Sequence, residues 1–269
     1  MFPPAETSSP GSPRASLRRT SNRSFPWRCC TQRDKVAIAR HELGHTIASH
    51  FFQKDHGHVR LSVRRRADPH LGEIGGYHLA IPTEEQYQRF RSQYAGRIRS
   101  ALGALACERV FYGENTSGVS EDLRMATETA CVMAGIVGMG ADNLEPKASA
   151  KAANVGQYLI SISDIARGMH EQGTWEGAVL SNPHGRRVVA QILGAAYIDD
   201  WRLMYVNKEA IDMAVEALMS QGGELVGDEI AGLLDSVGLR EPTAADPYPD
   251  DMPSVPDERA GLTALEGTA

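Results

Sequence analysis

The chain's 269 residues carry 28 Lys plus Arg against 34 Asp plus Glu, a formal charge of −6, and 42% of them are hydrophobic. That is enough apolar side chain to bury a core, and it excludes a collagen-like, a disulfide-dense or a polyanionic disordered chain. A mildly acidic middle also argues against a surface that tracks nucleic-acid phosphates, which needs clustered Lys and Arg.

In chain order, residues 1–33 hold six Arg and one Glu, residues 240–269 hold two Arg and seven acids, and the two segments share ten of the 14 prolines. Neither can bury enough apolar surface to offset its ordering entropy. The expected organisation is therefore a disordered basic tail over 1–33, a folded domain over 34–239 and a disordered acidic tail over 240–269. The start lacks the apolar stretch of a secretory signal. Its Arg-rich, Ser-rich, acid-poor composition is that of an organelle transit segment, the alternative to a plain tail. No run of about 18 apolar residues predicts a membrane span. Cys29, Cys30, Cys107 and Cys131 show no CxxC spacing, so neither a disulfide framework nor a Cys-ligated zinc is expected, and a reducing, cytoplasmic setting fits best.

From Asp34, the positions Val36, Ala39, Leu43, Ile47 and Phe51 recur at steps of three and four, the stripe of an amphipathic helix. Thr31 and Asp34 form a capping-box pair at its start. The period then changes to two: Val59, Leu61 and Val63 alternate with Arg60, Ser62 and Arg64, and a second extended stretch runs from Ile74 to Ile81. Pro82 and the box Thr83-Glu84-Glu85-Gln86 predict the opening of a long helix striped by Tyr87, Phe90, Tyr94, Ile98, Ala101, Leu102 and Leu105, ended by Gly113. Ser120 is the expected N-cap of a third helix through Met133. Further helices are expected near Ala148 to Met169, Arg186 to Asn207, Lys208 to Gln221 and Gly227 to Asp235, with Gly173 to Gly185 as a loop. The fold class is mostly α with a small β-sheet near the N-terminus, an α+β arrangement.

The first predicted helix carries His41-Glu42-Leu43-Gly44-His45, an HExxH motif. Positions four apart on a helix differ by roughly 40° in azimuth and one turn in height, so both imidazoles can reach one metal ion. Glu42 lies beside them, where it can take a proton from a water that the metal activates. A composition like this yields HExxH by chance about 0.02 times per chain, so helical context decides, and this motif has it. A catalytic zinc needs a third protein ligand. The HExxHxxGxxH solution fails, because Ala48 and Phe51 occupy its last two slots. His50 points to another face, and His56, His58, His70 and His78 read as solvated. The acidic candidates are Glu73, Glu108, Glu121 and Asp122.

Thr116-Ser117-Gly118-Val119-Ser120-Glu121-Asp122-Leu123, with Ala126-Thr127 after it, resembles the Thr-Thr-Gly-Ala-Ser-Asn-Asp-Leu segment of the FtsH-type AAA metalloproteases. Gly103 to Gly113, Gly138-Met139 and Gly227-Asp228-Glu229-Ile230 resemble further stretches of that family's peptidase domain in order and spacing. The resemblance spans most of Asp34 to Asp235. It implies an HExxH zinc metallopeptidase domain with one Zn2+ per chain held by His41, His45 and Asp122, and Glu42 as the catalytic residue. Glu108 is then either a carboxylate that orients a zinc-bound His or a structural ion-pair residue. The stretch Gly75 to Ile81, with Gly75, Gly76 and Tyr77 at its start, is expected to bind the substrate in extended form.

The departures bear on partners. No GxxxxGK[ST] phosphate loop occurs in the sequence, so the resemblance implies the peptidase domain without its ATPase module. The expected substrate is an unfolded or flexible polypeptide, acted on directly or delivered by a separate AAA ATPase in trans, and the family implies a homo-oligomer, a hexamer. No nucleic acid and no membrane span are expected. Two other readings remain: a zinc-stabilised, proteolytically inactive binding or regulatory module, and a helical protein with an accidental HExxH.

Overall fold

The computed structural model describes residues 31–64, 66–68, 72–140, 151–160 and 174–248. The expectations for 1–30, His70, 161–173 and 249–269 lie outside the described residues.

Helix α1 (Gln32–Phe52) starts at a complete capping box. The Asp34 amide donates to Thr31 Oγ1 at 3.1 Å, and the Thr31 amide donates to Asp34 Oδ2 at 2.9 Å. Its stripe residues Ala39, Leu43 and Ile47 are fully buried. Strands β1 (His56–Ser62) and β4 (Tyr77–Pro82) pair antiparallel, from His56 opposite Pro82 to Ser62 opposite Tyr77, with an irregularity between His58 and Arg60. Between them β2 (Arg66–Asp68) and β3 (Gly72–Ile74) form a two-stranded ladder. A short strand, β5 (Glu224–Val226), pairs with the other side of β1. The order is thus β4-β1-β5, and β4 is an edge strand.

Helix α2 (Arg91–Tyr112) is the axis of the core, packing on α1, on α3 (Ser120–Gly135) and on α6 (Pro183–Val206). A single-turn 3-10 helix (Ser117–Val119) leads into α3, with Thr116 Oγ1 accepting from the Gly118 amide. Residues 151–160 are helical (α4) and cross α6 where Gly156 and Gly194 face backbone. Helices α7 (Lys208–Ser220) and α8 (Asp228–Ser236) close the far side and pack on α1 and β1 respectively.

Four expectations need correction. The helix expected to open at Thr83 begins at Arg91, and Tyr87 and Phe90 are exposed. The reason is competition for Asp55. Its carbonyl takes the Thr83 amide, and its carboxylate takes the Gln86 and Gln93 side-chain amides at 2.7 and 2.6 Å. Second, the loop expected over Gly173 to Gly185 contains helix α5 (Trp175–Ser181), capped by Thr174, and the first turn of α6, capped by Asn182 with Pro183 at its first position. Third, residues 240–248, placed in the acidic tail by composition, are tied to α6. The Arg240 amide donates to Asn207 Oδ1, the Arg240 side chain pairs with Asp246, and the Arg202 guanidinium lies 4.2 Å from the centre of the Tyr248 ring. The cap of α3 also shifts, from the expected Ser120 to Val119.

Candidate metal centre

The site forms where α1 crosses α2 at two glycines. A Cβ on Gly44 would lie 2.7 Å from the Ala104 Cα and the Gly103 carbonyl, and one on Gly103 would lie 2.5 Å from the Gly44 carbonyl. Only hydrogen fits between these backbones. The close crossing puts Ser100 and Glu108 of α2 against the outer edges of the two motif histidines.

Those contacts decide how each imidazole is held. His45 Nδ1 lies 2.7 Å from the Ser100 carbonyl, which can only accept, so Nδ1 carries the proton. His41 Nδ1 lies 2.8 Å from Glu108 Oε1. Both rings therefore engage Nδ1 outward and direct Nε2 inward, the arrangement that fixes the tautomer of histidines once they ligate a metal. Glu108 is itself fully buried and held on all sides: Thr116 donates its amide at 2.6 Å to Oε2 and its hydroxyl at 2.8 Å to Oε1. Burial pushes the Glu108 carboxyl up, but the hydrogen bonds from His41 and Thr116 prevail and hold it below its ordinary value.

Asp122 arrives from the first turn of α3. Its Oδ2 is 3.4 Å from His41 Nε2, its Oδ1 is 3.3 Å from His45 Nε2, and the two Nε2 atoms are 3.2 Å apart. An ion with tetrahedral bonds of about 2.0–2.1 Å has ligands about 3.3 Å apart, so the triangle fits such an ion. Asp122 Oδ2 is buried with no hydrogen-bond donor among the described residues. Burial disfavours a protonated His41, yet Asp122 and Glu108 outweigh it and raise the imidazole pKa to about 10. The surrounding carboxylates thus call for a cation in this cleft, and these three residues are the one cluster among the described residues able to hold a metal ion.

Glu42 is buried beside the triangle, facing the sheet. It accepts from the His78 backbone amide, and burial raises its carboxyl pKa. Gly76 makes this approach fit: a Cβ there would sit 2.7 Å from Ile38 Cγ2 and 2.9 Å from Glu42 Oε1. Gly75 lies against Ile38, and Tyr77 begins edge strand β4 opposite Ser62.

The remaining candidates lie elsewhere. Glu121 is exposed and pairs with Arg124, and Glu73 is on β3. His56 meets Asp55 at 2.9 Å. The solvated state expected for His58 and His78, and the surface position expected for His50, are corrected. His58 Nδ1 of β1 and His78 Nε2 of β4 are 3.0 Å apart, and His50 of α1 stacks on His58 with ring centres 6.0 Å apart, all three partly buried. The Ser100 carbonyl escaped sequence reading, because a backbone acceptor carries no residue signature. Thr116 was visible only as part of the segment containing Asp122.

A mostly helical domain with a small antiparallel sheet, carrying an ion-ready His, His, Asp triangle on its central helices, defines a metalloprotease-type domain. The family model described as Peptidase family M41 matches residues 28–230, and the chain belongs to that family. It is similar to ATP-dependent zinc metalloprotease FtsH 4 of Sphaerobacter thermophilus, 24% identical over 228 residues covering 84% of this chain and 30% of that protein. FtsH 2 of the same organism is 32% identical over 110 residues, 41% of this chain and 16% of that protein. FtsH of Rhodococcus erythropolis is 25% identical over 196 residues, 72% of this chain and 21% of that protein. The chain spans less than a third of the length of each of these relatives.

Proposed function

We propose that this protein is a zinc-dependent metalloendopeptidase that hydrolyses peptide bonds in unfolded or flexible polypeptides. The observation that carries the reading is the triangle of His41 Nε2, His45 Nε2 and Asp122 with Glu42 buried next to it. A purely structural site has no need of that carboxylate. Zinc, which the relatives' names specify, would be held by His41, His45 and Asp122 and would supply Lewis acidity toward the scissile carbonyl and the attacking water.

The chain's own residues do the rest. Glu108 and the Ser100 carbonyl keep both rings in the tautomer that leaves Nε2 free. Glu42 accepts a proton from the attacking water and returns it to the departing amine. Its burial suits the role, since a raised pKa brings a carboxylate closer to the working pH. The outer edge of β4 offers backbone groups to an extended chain, and Gly75, Gly76 and Tyr77 set its approach past Glu42.

A polypeptide that is already unfolded needs no ATP in this reading, whereas folded substrates would require an AAA ATPase acting in trans. A homo-oligomer, a hexamer by likeness to the FtsH proteins, and a cytoplasmic setting belong to the same proposal. The test is Glu42→Gln beside the wild type on a casein-like unfolded substrate without ATP, with zinc content measured on both. Retained zinc with hydrolysis reduced at least a thousandfold is expected, roughly 4 kcal/mol of barrier. Undiminished hydrolysis by Glu42→Gln would overturn the mechanism, and a zinc-bound wild type that cleaves nothing would favour an inactive binding module.

A further inference from the structure

A cavity of about 290 Å³ opens between β4, the 83–90 segment and α2. It adjoins the metal triangle on two sides. Ser100, whose carbonyl holds His45, lines it, and so does His78, whose amide reaches Glu42. Met125, one turn past Asp122 on α3, forms part of its wall. A chain laid along the free edge of β4 would direct alternate side chains toward this cavity, because side chains of an extended strand alternate in direction. Its volume is at the lower end of ligand pockets, enough for one side chain rather than a cofactor.

The lining holds no Asp or Glu; Arg89 and Arg97 line it, both exposed, together with Tyr94 of α2 and Leu79 of β4. The other donors nearby are already used. Gln86, Gln93 and His56 all bind the Asp55 carboxylate. Neither Arg89 nor Arg97 has an ion-pair partner among the described residues. The Asp55 carboxylate beside the recess is already held by Gln86, Gln93 and His56, so the two exposed guanidiniums are the cations left to meet a substrate carboxylate there.

Building on the peptidase reading above, we infer that this cavity selects substrates with an acidic side chain near the scissile bond, and that Arg89 and Arg97 are the specificity-determining residues. The stems of the two arginines and the Tyr94 ring would cover the methylenes of a Glu, and the guanidiniums would pair with its carboxylate.

The experiment uses the full chain, zinc-loaded, and a peptide series that differs at one position at a time, carrying Glu, Gln, Leu or Lys on either side of one cleavable bond. Binding is read by fluorescence anisotropy on Glu42→Gln, which needs no turnover, and cleavage by mass spectrometry on the wild type. At one position, the Glu peptide is expected to bind about tenfold tighter than its Gln isostere at low salt, the preference shrinking as salt is added. Arg89→Gln with Arg97→Gln should bring the Glu peptide down to its Gln isostere, and Arg97→Glu should shift the preference toward Lys. Equal binding of Glu and Gln peptides, or a Glu preference that survives the double substitution, would overturn the inference. Cleavage without such a preference removes the selectivity but leaves the peptidase reading intact. A Glu preference in binding with no peptide cleaved by the wild type does the reverse.

Discussion

Two carboxylates among the described residues are fully buried, and they are treated in opposite ways. Glu108 on α2 receives hydrogen bonds from His41 and from both the amide and hydroxyl of Thr116, and stays below its ordinary pKa. Asp200 on α6 has no hydrogen-bond partner on either oxygen among the described residues, and burial pushes its carboxyl well above the usual range. Its chain neighbour Asp199 takes the nearby Arg99, at 2.6 Å. A buried negative charge is thus kept ionised on the metal-facing side of α2, where it orients a ring. Toward α6, the fold favours the neutral acid. Desolvation alone separates neither case; the presence of donors does.

Removing the unpartnered acid should have the largest effect on stability. Asp200→Leu, nearly the same shape, is expected to stabilise the fold by about 1–3 kcal/mol at pH 7, read by urea denaturation. The sign follows from the raised pKa. The folded state binds the proton more tightly than the unfolded chain, so wild-type stability falls as pH rises above the unfolded value near 4, and the variant's gain shrinks below it. A destabilised variant at pH 7 would mean that a donor holds the Asp200 carboxylate in the folded state.

Glu108→Gln sharpens the other half. It keeps the shape but loses the anionic acceptor for His41 Nδ1, and zinc affinity should fall about 10–100-fold in a competition titration, with the fold intact. Unchanged affinity would reduce Glu108 to a packing role. Gly103→Ala attacks the same region through the backbone. Its methyl meets the Gly44 carbonyl, so the α1–α2 crossing must open at a cost of about 1–2 kcal/mol, with Tm and metal affinity falling together. A smaller effect belongs to the sheet. Burial and the nearby His50 lower the His58 pKa to about 4, so the folded state resists protonation that the unfolded chain accepts below about 6.5. Stability should decline as pH falls from about 6.5 to about 4, and His58→Gln should flatten that slope.

The sequence made this site legible where chemistry depends on spacing along one helix. The HExxH pair, the Thr31 capping box and the Ala39, Leu43 and Ile47 stripe are local statements, and α1 forms as they require. Asp122 was one of four acids until the Thr116 to Leu123 segment singled it out by resemblance, because a ligand 77 residues beyond His45 leaves no periodic trace. Long-range competition hid the rest. A capping box at Thr83 is a sound local signal, but Asp55 draws off Thr83, Gln86 and Gln93. Conversely, Thr174 and the Asn182-Pro183 pair are start signals of two helices that a glycine-bounded segment obscured. The three residues of β5 are too few for a period, and they become a strand only because β1 offers an edge.

The most direct test of the central claim is the zinc content of the purified wild type beside Asp122→Ala, measured by elemental mass spectrometry after dialysis against a weak chelator. About one zinc per wild-type chain and close to none in the variant is the predicted result. A wild type without zinc, or an Asp122→Ala protein that keeps the full complement, would contradict the assignment of His41, His45 and Asp122 as its ligands.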